Sequence, residues 1–250
     1  MIRAVLFDLG DTLLDFQPMD RPALFRGVAE TTYGFLQSRG CALPAFGTYY
    51  RRHIWAVRRA YIWATLRGRE IDSVRAMQRF CAKQGYPTDE AFITDLLWMW
   101  YQPIIPRSSV AADVIPTLQS LRDAGLKMGI VSNTLLPGRV LDRHLEMVGL
   151  KEFFPVRVYS SEITYRKPKP IIFQAALAEI AVGADECLFV GDMVKTDIVG
   201  ARRVGMRSVL RRTARKQNYS AADDVIDCIG ELPRLALGDE SAAQVAHQGK

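Results

Sequence analysis

Four short polar motifs along the chain have residue types that together suit chemistry on a phosphate ester. In chain order they are Asp8-Leu9-Gly10-Asp11-Thr12, Ser132-Asn133, Lys167-Pro168-Lys169-Pro170, and Gly191-Asp192 with Asp197 five residues later. They supply a nucleophilic carboxylate, a hydroxyl, a lysine and an acidic pair. Three of them follow short apolar runs that are typical of buried strands. Because ligands of open parallel sheets bind at the carboxyl ends of the strands, we expect the motifs to meet in one site.

The apolar pattern predicts two kinds of region. Residues 4–7 read as a buried strand, whereas residues 20–101 show only helical patterns, which break at Gly40, Gly68 and Gly85 into about four helices. The last of these helices is predicted to begin after Thr88 as its N-cap. Strands are then predicted at 128–131, 156–159, 187–190 and 208–210, and helices at 113–124, 140–148, 170–181 and 196–204.

This alternation favours an α/β fold in which a parallel sheet is covered on both faces. The predicted architecture is a Rossmann-like three-layer parallel sheet core with an inserted α-helical bundle as a cap domain. The core is assigned residues 1–15 and 108–237, the cap residues 16–107, and a flexible tail residues 238–250. Because the insertion follows the carboxyl end of the first strand, we expect it to sit over the site.

The four motifs and the helical insertion resemble the haloacid dehalogenase superfamily of hydrolases, in the branch with a cap between the first and second motifs. The matching residues are Phe7-Asp8-Leu9, Asp11-Thr12-Leu13, Ile130-Val131-Ser132-Asn133, Lys167-Pro168-x-Pro170 with Phe173, and Val190-Gly191-Asp192 with Asp197. The resemblance covers nearly the whole chain. It implies an Mg²⁺-dependent phosphoric monoester hydrolase that acts on a small phosphorylated metabolite through an aspartyl-phosphate.

Each motif then has a predicted role. Asp8 is the candidate nucleophile, since a carboxylate can attack phosphorus and form an acyl-phosphate; taken alone, it could equally be a turn-forming residue. The resemblance implies that Ser132 and Asn133 bind substrate, through the Ser132 hydroxyl and a nearby backbone N–H. Lys167 is predicted to neutralise Asp8 and the transferring group. The family pattern selects Lys167 over Lys169, because the working lysine directly precedes the first proline.

The acidic residues predict a metal site. Several carboxylates and a phosphate dianion repel one another strongly without a cation, and oxygen ligands suit Mg²⁺. The predicted ligands are Asp8, Asp192 and Asp197, with the backbone carbonyl of Gly10 added by the resemblance. Asp197 has the alternative role of capping the helix that follows it.

One position departs from the family pattern. Phosphatases of this family usually carry an acid–base aspartate two residues after the nucleophile, and here that residue is Gly10, followed by Asp11. Asp11 could take over the role, a cap residue or water could replace it, or the protein could be a slow hydrolase. Two further alternatives are a 2-haloacid dehalogenase, a class that also lacks this aspartate and needs no metal, and a non-catalytic phospholigand-binding protein.

Composition bounds the setting of this chemistry. The net charge is +6, and all of the excess lies in residues 16–107, which hold 13 Lys and Arg against 7 Asp and Glu. Such a field attracts small anions, and no nucleic-acid-binding motif accompanies it, so we expect a small anionic substrate and no nucleic acid. We expect no signal peptide or membrane span, four reduced cysteines and a cytoplasmic location. The oligomeric state is left open.

Overall fold

The structure is a computed structural model that describes residues 1–67, 70–215 and 217–238, without the side chains of residues 57, 60, 61 and 63–67. Within the described residues, eight short strands and ten α-helices are joined by loops and short turns of other helix types. The strands are β1 (Ala4–Phe7), β2 (Asp15–Phe16), β3 (Ser108–Ser109), β4 (Lys127–Ser132), β5 (Val156–Tyr159), β6 (Cys187–Gly191), β7 (Arg207–Arg211) and β8 (Asp224–Ile226). The helices are α1 (Arg21–Ser38), α2 (Phe46–Arg67), α3 (Ser73–Gln84), α4 (Glu90–Tyr101), α5 (Val114–Asp123), α6 (Gly138–Met147), α7 (Ser160–Ile163), α8 (Pro170–Ile180), α9 (Val199–Arg203) and α10 (Leu232–Leu237).

Six of the strands form one parallel sheet in the order β5-β4-β1-β6-β7-β8. Successive side chains of β1 enter opposite layers: Val5 and Phe7 pack with α5 and α6, whereas Ala4 and Leu6 pack with α8. The sheet therefore has helices on both faces, and the predicted three-layer α/β fold is confirmed.

The helices α1 to α4 form the insertion between β2 and β3. These two strands pair antiparallel, with Asp15 opposite Ser109 and Phe16 opposite Ser108, so the chain enters and leaves the insertion side by side. The ribbon lies next to the limits predicted for the cap, residues 16 and 107, and the division into two domains stays a prediction. The N-cap of α4 is Asp89, not Thr88 as predicted, because the Asp89 carboxylate accepts the Phe92 N–H at 2.9 Å.

Some elements differ from the prediction. The helix predicted over 196–204 begins as a π-turn, Val194–Ile198, because the carbonyl of Met193 accepts both the Asp197 and the Ile198 N–H. The strand β8 and the helix α10 were not predicted, since three or six residues are too few for a periodic pattern. Gly68 and residues 239–250 of the predicted tail lie outside the described residues. No helix in the described ranges has an apolar stretch long enough to cross a bilayer.

Polar contacts tie the helical insertion to the core. Glu70, whose side chain is almost fully buried, accepts the Ser160 hydroxyl at 2.7 Å and faces the Arg166 guanidinium at 3.5 Å. A second contact joins the end of α4 to α6, where Tyr101 and Ser108 both bond the buried imidazole of His144. The insertion is thereby fixed over the carboxyl edge of the sheet.

The tautomer of His144 follows from its partners. The Ser108 hydroxyl donates its hydrogen to the carbonyl of Ile105 at 2.7 Å, so it can only accept at 3.1 Å from His144 Nε2. Nε2 therefore carries the proton, and Nδ1 accepts the Tyr101 hydroxyl at 2.9 Å. The imidazole is neutral and fully partnered, and its burial lowers the pKa of His144.

This arrangement predicts an acid-sensitive fold. Unfolded histidine titrates near pH 6.5, about where model peptides do, and its folded pKa is lower, so the unfolded state takes up the proton first. Stability from this group is fully present above about pH 6.5 and falls as the pH drops toward the folded pKa, by at most about 1.4 kcal/mol per pH unit. Urea unfolding of wild type and His144→Gln from pH 7.5 to 5 measures this loss. The glutamine variant, which keeps a donor and an acceptor, should show the shallower slope; equal slopes would contradict a buried neutral His144.

Candidate active site

The carboxyl ends of three neighbouring strands bring the predicted residues together. Asp8 follows β1, Ser132 ends β4 and Asp192 follows β6, and β1 lies between the other two strands. A pocket of about 480 Å³ opens at this edge, and residues of the insertion, among them Tyr101 and Ile104, line its other side. All predicted site residues line it: Asp8, Gly10, Asp11, Ser132, Asn133, Lys167, Asp192 and Asp197.

Lys167 is the centre of the charged network. Its ammonium is buried and contacts Asp8 Oδ1 at 2.6 Å and Asp197 Oδ1 at 2.8 Å. Burial disfavours the charged ammonium, but the two carboxylates outweigh this effect and raise the pKa of Lys167. Burial also raises the pKa of Asp8 to about 6, against the opposing pull of Lys167. The adjacent Lys167 ammonium favours the ionised form of Asp8 that an attacking carboxylate requires.

Asp197 is held in place by the local backbone. Its Oδ2 accepts the Met193 N–H at 2.9 Å and its Oδ1 accepts the Thr196 hydroxyl at 3.1 Å, in addition to Lys167. A Cβ at position 191 would lie 2.5 Å from the Asp197 side chain, so only glycine permits this approach. With both oxygens engaged, Asp197 suits an outer, positioning role at a metal better than direct ligation.

The acidic cluster has the chemistry of a cation site. Carboxylate oxygens of Asp8, Asp192 and Asp197 all lie within 4.8 Å of one another. Asp192 is buried, and its Oδ2 forms an ion pair with the Arg215 guanidinium. Three clustered carboxylates form an oxygen-only donor set, and such a set fits Mg²⁺.

The backbone conformations of Asp11 and Gly10 differ. Asp11 is left-handed, with φ 54°, whereas Gly10 is outside that region. The carboxylate of Asp11 accepts the Phe16 N–H at 3.2 Å and makes an ion pair with Arg215. A catalytic role for Asp11 stays a prediction, and these contacts favour a turn-forming one.

The Asn133 side chain bonds the backbone of Lys167. Its Nδ2 donates to the carbonyl of Lys167 at 3.1 Å, and its Oδ1 accepts the Lys167 N–H at 2.8 Å. Both functional ends of the amide are therefore used by the lysine backbone. These two bonds suit the Asn133 side chain to positioning Lys167, and the substrate contact assigned to this loop stays a prediction.

Asn133→Ala is accordingly expected to lower kcat by roughly 10- to 100-fold with little change in KM, because displacement of a catalytic group by about 1 Å has this scale of effect. Steady-state kinetics on an aryl phosphate measure it. Asn133→Asp keeps the acceptor for the Lys167 N–H and should lose less activity. A rise in KM at constant kcat would instead identify Asn133 as a substrate ligand.

Sequence reasoning did not identify two residues of the loop after β7. Arg215 pairs with Asp11 and Asp192, and Gln217 bonds the carbonyl of Asp192 at 2.5 Å and the Val194 N–H at 3.0 Å. The loop has no periodic or motif signal. Only the parallel pairing of β7 with β6 could have indicated that it returns to the same edge.

Comparison with known proteins supplies relatives for this fold and site. The profile of the family described as haloacid dehalogenase-like hydrolase matches residues 2–205. A glyceraldehyde 3-phosphate phosphatase of Methanopyrus kandleri is 39% identical over 127 residues, which cover 50% of this chain and only 54% of that protein. A ribulose-1,5-bisphosphate 5-phosphatase of Halopiger xanaduensis is 28% identical over 249 residues, covering 94% of this chain and 99% of that protein.

Among solved structures, a 2-haloacid dehalogenase from Pseudomonas syringae pv. tomato DC3000 superposes with a TM-score of 0.65 over the full length of both chains, at 23% identity. At that identity the likeness concerns the fold alone. The profile match spans both the strands that carry the acidic residues and the inserted helices. On this ground the chain belongs to the haloacid dehalogenase-like hydrolase family.

Proposed function

We propose that this chain is an Mg²⁺-dependent phosphoric monoester hydrolase that acts on a small phosphorylated metabolite. The observation that carries the proposal is the buried Lys167 ammonium between Asp8 and Asp197, with Asp192 beside them, in one pocket. Both relatives described above are named phosphatases, which supports the same reaction. Glyceraldehyde 3-phosphate and ribulose 1,5-bisphosphate are therefore the first metabolites to test.

The residues divide the reaction between them. An Asp8 oxygen attacks phosphorus, the bond from phosphorus to the leaving oxygen breaks, and water then cleaves the acyl-phosphate to return the carboxylate. Lys167 offsets the negative charge that gathers on Asp8 and the phosphoryl group, and Ser132 is placed to donate to a phosphoryl oxygen. Asp8, Asp192 and the carbonyl of Gly10 would hold Mg²⁺, with Asp197 behind them. Bound there, the cation neutralises phosphate and carboxylate charge.

Two other functions remain as alternatives. A dehalogenase would use Asp8 against carbon and needs no metal, so the close packing of Asp8, Asp192 and Asp197 carboxylates favours the phosphatase. A non-catalytic phospholigand-binding protein is suggested only by Gly10. We further propose a cytoplasmic location, in keeping with the four free cysteines.

A direct assay separates these functions. We expect the protein to release phosphate from p-nitrophenyl phosphate in the presence of Mg²⁺. The release should stop when EDTA is added and resume when Mg²⁺ is restored. Chloride release from 2-chloropropionate without metal would identify a dehalogenase. If neither the aryl phosphate nor a broad panel of phosphorylated metabolites is turned over, the enzymatic proposal is wrong and the binding function is favoured.

A further inference from the structure

A second cavity, of about 260 Å³, lies among the four helices of the insertion. Its wall is mainly aromatic and aliphatic, with Phe25, Met77, Phe80, Leu97 and Trp100 among its members. Among the described residues that line it, none is aspartate, glutamate, lysine or arginine. It shares no lining residue with the catalytic pocket, so whatever it binds is distinct from the phosphate ester.

Two polar atoms in this apolar wall lack a partner within the described structure. They are His53 Nε2 and Ser73 Oγ, on side chains of residues that are only 7% and 8% exposed. The other polar pair in the wall is satisfied, since Tyr49 donates to Thr32 at 2.9 Å and Thr32 to the carbonyl of Val28 at 2.8 Å. An unmet buried polar group is destabilising, so the cavity favours an occupant that satisfies both atoms.

We propose that this cavity binds a small neutral molecule with an apolar body, about one aromatic ring in size, and one hydroxyl group that bonds His53 and Ser73. A hydroxyl both donates and accepts, so it can serve a ring nitrogen and a second hydroxyl together. A carboxylate or phosphate is disfavoured, because a buried charge without a counter-charge is costly. Burial lowers the pKa of His53 to about 4, so the imidazole supplies no positive charge at neutral pH.

The position of the cavity gives the occupant contact with both parts of the chain. Leu135 belongs to the core loop in which Thr134 and Leu136 line the catalytic pocket, yet Leu135 itself lines the second cavity. Ala56 and Ala76 also line it and are exposed, so these two small residues mark its open side. A larger side chain at position 76 would obstruct entry without replacing a core residue.

Calorimetric titration with three matched probes, p-cresol, toluene and p-toluate, tests the proposal. We expect p-cresol to bind saturably, one per chain. Toluene, without the hydroxyl, should bind about 5- to 150-fold more weakly, since it loses two hydrogen bonds worth about 0.5–1.5 kcal/mol each. The anion p-toluate should not bind measurably. Ser73→Ala should weaken p-cresol several-fold and leave toluene unchanged.

Three further variants locate the site. Ala76→Phe should abolish p-cresol binding, whereas Ala82→Phe, at an exposed alanine of α3 outside the cavity wall, should not. Asp8→Asn should bind p-cresol like wild type, which separates this site from the proposed phosphatase chemistry. The site would be overturned if wild type showed no saturable p-cresol binding, or if Ala76→Phe bound p-cresol as well as wild type. It would also be overturned if Ala76→Phe and Ala82→Phe lost p-cresol binding equally. The ligand class would be overturned if toluene, or p-toluate, bound with the same affinity as p-cresol.

Discussion

Asp8→Asn is expected to lower phosphate release by about 10⁴-fold or more, the scale that follows removal of the nucleophile from an enzyme that uses covalent catalysis. The carboxamide keeps the size of the side chain and can still accept from the Lys167 ammonium, which lies 2.6 Å from Asp8 and 2.8 Å from Asp197. Because Asp197 remains as a counter-charge, the lysine is not left unpaired, and the fold should persist. Initial rates on p-nitrophenyl phosphate with Mg²⁺ measure the loss of activity, and a thermal melt measures whether the fold persists.

Two lysines of one loop provide a matched control. Lys167→Met removes the charge between the two carboxylates and should also abolish turnover. Lys169 lies over the Tyr165 ring instead, and Lys169→Met should retain near wild-type rates. If Asp8→Asn keeps wild-type activity, or if the two lysine variants lose activity equally, the assigned nucleophile and its counter-charge are wrong.

Much of the candidate site could be predicted because the ends of buried strands can be recognised in the sequence. Short apolar runs that stop at Asp8, Ser132 and Asp192 become adjacent parallel strands, so linear order translates directly into proximity. The helical insertion could also be recognised, since a long segment with helical patterns and no strand pattern does not contribute strands to the sheet. Lys167 depended on the family pattern, because nothing in its own loop separates it from Lys169.

Other features depend on atomic contacts that carry no sequence pattern. The occupation of the Asn133 amide by the Lys167 backbone is visible only once two loops are placed side by side. Arg215 reaches Asp192 from a loop without a motif. The cavity in the insertion arises from how four helices pack, and helical periodicity identifies a buried face without giving the space left between faces.

Gly10 stands where phosphatases of this family usually carry the acid–base aspartate, and Asp11 follows one residue later. A Cβ at Gly10 would meet only the Phe16 ring, at 3.5 Å, an ordinary van der Waals contact. Because the backbone of Gly10 is not left-handed, an L-residue fits there without strain. Asp11 is held by the Phe16 N–H and by Arg215, so its carboxylate is already occupied. The site therefore has room for an acid–base group at position 10 and lacks one there.

Gly10→Asp is expected to speed hydrolysis of a poor leaving group, such as glycerol 3-phosphate, by about 10²–10⁴-fold, the usual worth of general acid–base catalysis. It should change p-nitrophenyl phosphate hydrolysis little, because nitrophenolate leaves without protonation. Asp11→Asn keeps an acceptor for the Phe16 N–H and loses only a part-exposed ion pair, worth at most about 1 kcal/mol, so any rate loss should not depend on the leaving group. The kcat/KM of each variant on both substrates decides between the positions. A loss on glycerol 3-phosphate alone in Asp11→Asn, with no gain in Gly10→Asp, would make Asp11 the acid–base residue after all.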